Sequence, residues 1–481
     1  MKTLPSFSTR KCFLTAVLVL LALADLAAAQ QRPNIVFMLS DDQNWNGLSV
    51  AMHPTVAGSK GTVFNTPSLV KLASQGMRFS AAYAPAPVCS PTRISLQTGK
   101  SPAQMHWTKA GPSMSAAAGY KMIPPRLTKS LASQETTIAE LLRSAGYATA
   151  HYGKWHLDGG GPANHGYDEH DGNIGNEYAG RFGDPNPVDI FGMVRRASSF
   201  MEKNKQAGKP FFIQLSWHAL HSPQNALKTT LKKYDHLVRG DNYRRADTAA
   251  MTEDLDTGVG RIVQAVDRLG LADNTYVIYM SDNGGGNRRG PLNGGKGSVW
   301  EGGIRVPLII RGPGVTANSW CHTRVVGFDF FPTFCEWAGI SASKLPQGIE
   351  GGSIVSLLAN PKQPQVKRPR EELVFHFPHY QTGDGPHSAL MLGNLKLMKF
   401  YEDNRLALFD LSKDIGEQND LSGRMPQQTA QLHQRLNRYL AAVGAQLPVV
   451  NPSYDPSRPP TLPKKGKRGQ GNRPDRPRRQ P

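Results

Sequence analysis

The chain has 481 residues, 39% of them hydrophobic, with 48 glycines, 36 prolines and a formal net charge of +19. This length and apolar content exclude a fibrous or wholly disordered chain and exceed one small core, so one large and one smaller domain are expected. The basic balance favours acidic partners such as sulfated or carboxylated polysaccharide, and the absence of any nucleic-acid module or basic–aromatic pattern argues against nucleic acid.

Residues 1–30 read as a signal peptide. Lys2, Arg10 and Lys11 precede an apolar run over 13–24, and Ala27-Ala28-Ala29 offers small residues for cleavage near Gln30. The run is too short to span a bilayer and Asp25 interrupts its end, so export to the periplasm or beyond is expected, with no transmembrane segment. Residues 34–39 are a near-continuous apolar run, the mark of a strand buried on both faces, and they end in Ser40-Asp41-Asp42. A helix over 66–75 follows. Cys89-Ser90-Pro91-Thr92-Arg93, with Thr98-Gly99 beyond, reads as a helix start: Pro91 suits the first turn, the helix dipole favours an anion and Arg93 adds a fixed charge. Cys89 has no cysteine nearby, so it reads as a reactive group in an anion site. A helix over 138–144 leads to a strand over 147–152 that runs into Gly153-Lys154-Trp155-His156. A helix over 191–204 leads to a strand over 211–215 and then to His218 and His221. A helix over 249–269 leads to a strand over 276–280 that ends in Ser281-Asp282-Asn283. Gly-rich loops carrying Lys296 precede a further strand over 308–311.

The alternation predicts an α/β fold, a large, mostly parallel or mixed sheet sandwiched by helices, over residues 31–365. Beyond it, short strands over 373–376, 389–392, 395–400 and 406–410 and a helix with Leu432, Leu436, Leu440 and Val443 on one face predict a small antiparallel sheet with a packed helix, over 366–450. Residues 451–481 hold eight prolines, nine Lys or Arg and two Asp, and are expected to be a disordered basic tail. Cys12 leaves with the leader. Cys321 and Cys335 either bridge or, with Cys335 on a helix, pack as small core residues.

Ligands of open α/β sheets sit beyond the carboxyl ends of the strands, where four strand ends here would converge. Asp41, Asp42, Asp282 and Asn283 are oxygen donors suited to a hard cation such as Ca²⁺ or Mg²⁺, although either pair alone is a common turn sequence. Arg93, Lys154, His156, His221 and Lys296 would form the cationic half of the pocket. Together they describe a metal-dependent hydrolase of an anionic ester, without distinguishing phosphate from sulfate.

From Pro33 to about Leu421 the chain resembles the type I, formylglycine-dependent sulfatases of the alkaline-phosphatase superfamily, arylsulfatases among them. The resemblance rests on Cys89-x-Pro91-x-Arg93 with Thr98-Gly99, on Gly153-Lys154-Trp155-His156, on Ser281-Asp282-Asn283-Gly284, and on Lys296 with Glu301-Gly302-Gly303-Ile304-Arg305-Val306-Pro307. It implies that a formylglycine-generating enzyme oxidises Cys89 to formylglycine, whose hydrated gem-diol attacks the sulfur of a sulfated small molecule or glycan. It further implies that Asp41, Asp42, Asp282 and Asn283 bind Ca²⁺ with residue 89 completing the shell. Arg93 and Lys154 would hold diol and sulfate, His221 or Lys296 would protonate the leaving oxygen, and His156 would take the proton that lets sulfate leave by elimination. Relatives often carry His-x-Pro-His-x-Pro where this chain has His218-Ala219-Leu220-His221-Ser222-Pro223, so His218 either supports the site or faces substrate. The small domain overhangs the pocket in relatives, which makes His376 and His379 candidate substrate contacts, with a structural turn the alternative. A phosphonate monoester or phosphodiester hydrolase of the same superfamily, and an unmodified member that only binds acidic glycans, are the other readings.

Overall fold

The computed structural model describes residues 32–111, 117–237, 243–286, 290–362 and 365–458; the expected leader lies outside them. The main sheet has eight strands: β1 (Asn34–Ser40), β2 (Met77–Phe79), β3 (Ala148–Gly153), β4 (Glu169–His170), β5 (Phe211–Ser216), β6 (Thr275–Ser281), β7 (Leu308–Arg311) and β8 (Ser319–Cys321). Their spatial order is β8-β2-β7-β6-β1-β5-β3-β4. The block from β6 through β4 is parallel, whereas β7 runs antiparallel to β6. Every residue of β1, β3, β5 and β6 is buried, as the mainly apolar runs of β1 and β6 lead one to expect when both faces are covered.

Side chains alternate across β1. Ile35, Phe37 and Leu39 enter a core with helices α2 (Cys89–Thr98), α3 (Ile138–Ser144) and α6 (Phe330–Trp337). Val36 and Met38 enter the opposite core with α1 (Pro67–Gln75), α4 (Ile190–Gln206) and α5 (Tyr243–Arg268). Local sequence sets the helix ends. At α3, Thr137 caps the Glu140 N–H while the Glu140 carboxylate accepts from the Thr137 N–H, a reciprocal box worth about 1 kcal/mol. Cys321 and Cys335 are both buried free thiols, so the packing alternative holds and no bridge forms between them.

The small sheet is antiparallel, in the order β9 (Leu373–Phe377), β10 (His387–Leu392), β11 (Leu395–Phe400), β12 (Leu406–Asp410). Phe375, Phe377, Met398 and Phe409 pack against Tyr83, Val88, Trp300 and Phe328 of the large domain. The other face, with Val374, Leu390, Leu397 and Leu408, is covered by Leu432, Leu436 and Leu440 of α7 (Pro426–Ala442). The tail boundary expected at Asn451 moves. Val449–Val450 pairs antiparallel with Met122–Ile123, and buried Asn451 donates its side-chain amide to the Tyr120 carbonyl at 2.8 Å. The rest of the expected tail, from 459, lies outside the described residues. No helix among the described residues is long and apolar enough to cross a membrane.

Candidate active site

The four strands read from sequence as converging, β6, β1, β5 and β3, are neighbours at the centre of the sheet and point the same way. Their ends are tied together by backbone hydrogen bonds. The Asp41 N–H donates to the Ala219 carbonyl at 2.7 Å, Asp282 N–H to Ser40 at 3.0 Å and Lys154 N–H to Ser216 at 2.8 Å. Gly153 makes the last contact possible. Its φ is +92°, and a Cβ there would lie 2.2 Å from the Ser216 oxygen. Asp42 and His156 adopt left-handed backbone at φ 62° and 58°, a costly state for residues with side chains that clusters at functional sites.

Helix α2 delivers Cys89 and Arg93 to this edge. It starts at Cys89, no side chain caps its N-terminus, and all ten of its residues are buried. Arg93 is held from two sides: Nε and NH2 donate to Asp282 Oδ2 at 3.1 and 2.8 Å, and NH1 donates to the Lys154 carbonyl at 2.5 Å. Lys154 Nζ donates to Asp41 Oδ2 at 2.5 Å. Lys296 Nζ lies 2.5 Å from Asp42 Oδ1, and its backbone N–H is fixed by the Gly285 carbonyl at 3.0 Å. Asn283 donates its amide to Asp42 Oδ1 at 2.8 Å, which turns its own oxygen away from that contact.

Among the described residues Asp41, Cys89 and Asp282 form a group whose ligand atoms all lie within 4.8 Å of one another. Asp41 Oδ1 and Asn283 Oδ1 are buried with no hydrogen-bond partner. Unsatisfied buried oxygens are costly, and here they belong to hard donors, so the residues fit a divalent cation of the Ca²⁺ kind better than zinc, which would seek His and Cys.

Charge on the two sides is strongly coupled. Burial alone would raise the Asp41 carboxyl, but Lys154, His221, Arg93 and Lys296 outweigh it and keep it ionised. Asp282 goes the other way, to about 6, because burial and the neighbouring Asp41 charge exceed the pull of Arg93. Burial would lower Lys296; Cys89, Asp42 and Asp41 reverse that and hold the ammonium charged. The Cys89 thiol is raised by burial, with Asp41 and Asp282 adding to the effect and Lys154 and Lys296 opposing it. A thiol so placed is a poor thiolate nucleophile. His156 falls to about 2 and His218 to about 3, through burial and then the Lys154 charge, and His221 is lowered by burial.

His221 is half-buried, with Nδ1 2.7 Å from the Ser222 carbonyl. That carbonyl fixes the proton on Nδ1 and leaves Nε2 for a ligand. His218 is buried under the Tyr178 ring, centroids 6.1 Å apart, and neither ring nitrogen has a hydrogen-bond partner. His376 and His379 are not brought to the site. His376, on β9, is buried and spends both nitrogens, at 2.6 Å from Ser388 Oγ and 2.9 Å from the Gln446 carbonyl. His379 is fully buried with Nε2 2.7 Å from Thr108 Oγ1. Both take the structural alternative: His376 has both ring nitrogens engaged inside the small domain, and His379, fully buried against Thr108 of the large domain, ties the two domains together. Sequence reasoning missed Gln43, whose N–H donates to Ser281 Oγ at 3.0 Å and whose Oε1 accepts from Ser40 Oγ at 3.1 Å, locking the β1 and β6 ends together. Its place directly after Asp42 was the available signal.

Comparison with known proteins agrees with this geometry. The family profile described as Sulfatase matches residues 33–340, and that described as N-sulphoglucosamine sulphohydrolase, C-terminal, matches 295–446. A Sulfatase of Formosa agariphila is 30% identical over 508 aligned positions, spanning 86% of this chain and 89% of that protein. The N-acetylgalactosamine-6-sulfatase of Mus musculus is 31% identical, over 67% of this chain and 66% of that protein. The crystal structure of Ps i-CgsB in complex with k-i-k-neocarrahexaose superposes with a TM-score of 0.71 at 24% identity, covering 85% of this chain and 93% of that one. The fold is therefore the alkaline-phosphatase-like one of the sulfatases, and the chain belongs to the sulfatase family, an enzyme of the sulfuric ester hydrolase class.

Proposed function

We propose that this protein hydrolyses the sulfate ester of a sulfated sugar through a formylglycine made from Cys89, with Ca²⁺ held by Asp41, Asp42, Asp282 and Asn283. The observation that carries it is a buried cysteine ringed by hard oxygen donors and by Arg93, Lys154 and Lys296. The sugar is supported by a relative that is an N-acetylgalactosamine-6-sulfatase and by a structural neighbour crystallised with k-i-k-neocarrahexaose. When present, the hydrated formylglycine supplies an oxygen nucleophile and the cation withdraws electron density from that oxygen and from the sulfate.

The remaining chemistry belongs to side chains of this chain. Lys154, Lys296 and His221 all act electrostatically on Asp41, which supports placing the sulfate oxygens among them, and an arriving anion there would raise the proton affinity of His221 Nε2. His221 and Lys296 then supply the proton the departing sugar oxygen needs. His156 is kept as neutral imidazole by burial and by the Lys154 charge, so it can accept the proton whose removal regenerates the aldehyde. Arg93 orients the residue 89 end of α2 through Asp282 and the Lys154 carbonyl. We place the enzyme outside the cytoplasm, supported by the basic-apolar-alanine leader in residues 1–30, and its maturation requires a formylglycine-generating enzyme.

The test is mass spectrometry of the Cys89 peptide from the native host, joined to turnover of aryl sulfate and aryl phosphodiester substrates. The expected result is an aldehyde in place of the thiol and a preference for sulfate. A fully retained thiol would leave only glycan binding, and a preference for phosphodiester would move the protein to the other reaction of its superfamily.

A further inference from the structure

A cleft of about 970 Å³ opens from the site. Asp42 belongs to its wall, Leu220 and Ser222 flank His221 there, and Gly285, whose carbonyl fixes the Lys296 backbone, lines its edge. The volume is that of a pocket for a ligand of drug size, far more than one sulfate needs, so the group carrying the ester extends into it. Two cations stand in this wall: Lys60, exposed, and Arg245, half-buried near the start of α5. Neither side chain has an ion pair or hydrogen bond to another of the described residues. Several other part-buried cations are matched, as Lys100 is by Glu135 at 2.7 Å and Arg196 by Asp189 at 2.6 Å.

The carboxylates of the cleft do not neutralise this pair. Asp42 is already held by Lys296 and Asn283. Asp247 lies two positions after Arg245 on the same helix, a spacing that points the two side chains apart. Burial pushes the Asp247 carboxyl up, as expected of an acid with no cation against it. The amides of Asn44 and Asn46 in the same wall also have no side-chain partner among the described residues, which leaves planar donors and acceptors free for hydroxyl groups.

We propose that this cleft is a subsite for the remainder of a polyanionic sugar chain, in which Lys60 and Arg245 bind a second anionic group, a sulfate or a uronate carboxylate, while Asn44, Asn46 and Asp247 receive ring hydroxyls. This rests on the sulfated-sugar reading above. It makes the enzyme selective for substrates that carry an anion beyond the one removed, a property set by residues of the cleft wall and independent of the reacting centre.

The experiment compares the protein with Lys60→Ala, Arg245→Ala and the conservative Lys60→Arg on three probes. These are an aryl sulfate, sulfated oligosaccharide pairs differing by one further sulfate, and pairs differing by a uronate in place of a neutral sugar. The wild type should favour the doubly anionic member of at least one pair, and which pair responds identifies the second group. Each alanine variant should lose about tenfold in kcat/KM on that member and keep aryl sulfate turnover within about twofold, while Lys60→Arg should retain the preference that Lys60→Ala loses. Raising the salt concentration should erode the preference. No preference in the wild type, or a preference that survives both alanine variants, would overturn the subsite. Failure of the wild type on aryl sulfate and on every sulfated sugar would instead bring down the sulfatase reading beneath it.

Discussion

Lys396→Met tests how the small sheet holds the catalytic loop in place. Lys396, on β11, is fully buried with Nζ 2.9 Å from Glu301 Oε1 and 2.7 Å from Glu417 Oε1. Glu301 follows the Lys296 loop and also accepts from Arg305 Nε at 2.6 Å and Tyr83 OH at 2.9 Å. The variant leaves two buried carboxylates to share one cation, Arg305, and breaking such a cluster from one side costs about 3–5 kcal/mol. Methionine matches the lysine stem in size, so a cavity does not account for the loss.

The pH dependence has a definite sign. Glu417 is raised to about 7 because burial and the Glu301 charge outweigh Lys396, whereas Glu301 is lowered to about 2, since Lys396 and Arg305 outweigh its burial. A carboxyl raised in the folded state contributes stability that is present in full below its ordinary 4.5 and is lost as pH rises through 7. In the native protein this loss levels off above about 7. Without Lys396 the Glu417 proton is held more tightly, so the loss continues upward at about 1.4 kcal/mol per pH unit. Urea unfolding at pH 6, 7 and 8 should therefore show a deficit of about 3 kcal/mol at the first two values and about 1 kcal/mol more at the last. Lys396→Met/Glu417→Gln should recover most of it. A deficit below 1 kcal/mol, or one that narrows above pH 7, would refute the network as the clamp.

Asp282→Ala should abolish stoichiometric Ca²⁺ binding in titration calorimetry and lower aryl sulfate turnover by more than about a hundredfold, because it removes a proposed cation ligand and frees Arg93 from its two hydrogen bonds. Tight Ca²⁺ binding retained by this variant would exclude the assigned donor set. His376→Ala should lower stability by about 2 kcal/mol, leaving the Gln446 carbonyl unpaired and the Ser388 hydroxyl with Tyr401 alone, with kcat on aryl sulfate unchanged. A selective rise in KM for sulfated oligosaccharides, with stability intact, would restore it as a substrate contact.

The catalytic edge was readable because buried parallel strands announce themselves twice, by an unbroken apolar run and by the abrupt polar residues that end it. Residues 34–42 and 276–283 show both. Strand order was not readable, since pairing of β1 with β5 and β6 depends on contacts across about 180 to 240 residues. The choice between the two readings of His376 was legible from parity. Leu373, Phe375 and Phe377 face the large domain, so residues 374 and 376 must face α7, and Val374 does. A histidine in that register points away from the catalytic edge whatever motif surrounds it. Lys60 and Arg245 carry no such signal, because a loop residue and a polar residue near a helix start become neighbours of one cleft only through the tertiary fold. The same holds for Asn451, whose partners at 117 and 120 are brought to it by the Val449–Val450 pairing.

The reacting centre is balanced before any guest arrives. Asp41, Asp42 and Asp282 face Lys154, Lys296 and Arg93, each carboxylate within 2.8 Å of one of the cations. Such pairing offsets the desolvation that a lone buried charge would incur, and it lets the edge fold with its oxygen donors already aimed inward. Adding the proposed Ca²⁺ to a balanced cluster leaves it with a surplus of positive charge, which a sulfate monoester only partly cancels; the remainder favours negative charge developing on the leaving oxygen. The histidines must stay neutral in that field, and burial together with Lys154 keeps them so. A thiolate at residue 89 would add a soft anion to a site otherwise built from hard oxygens, and burial acts against its ionisation. The surroundings of Cys89 thus favour an oxygen nucleophile at that position, which is why its modification state decides the function.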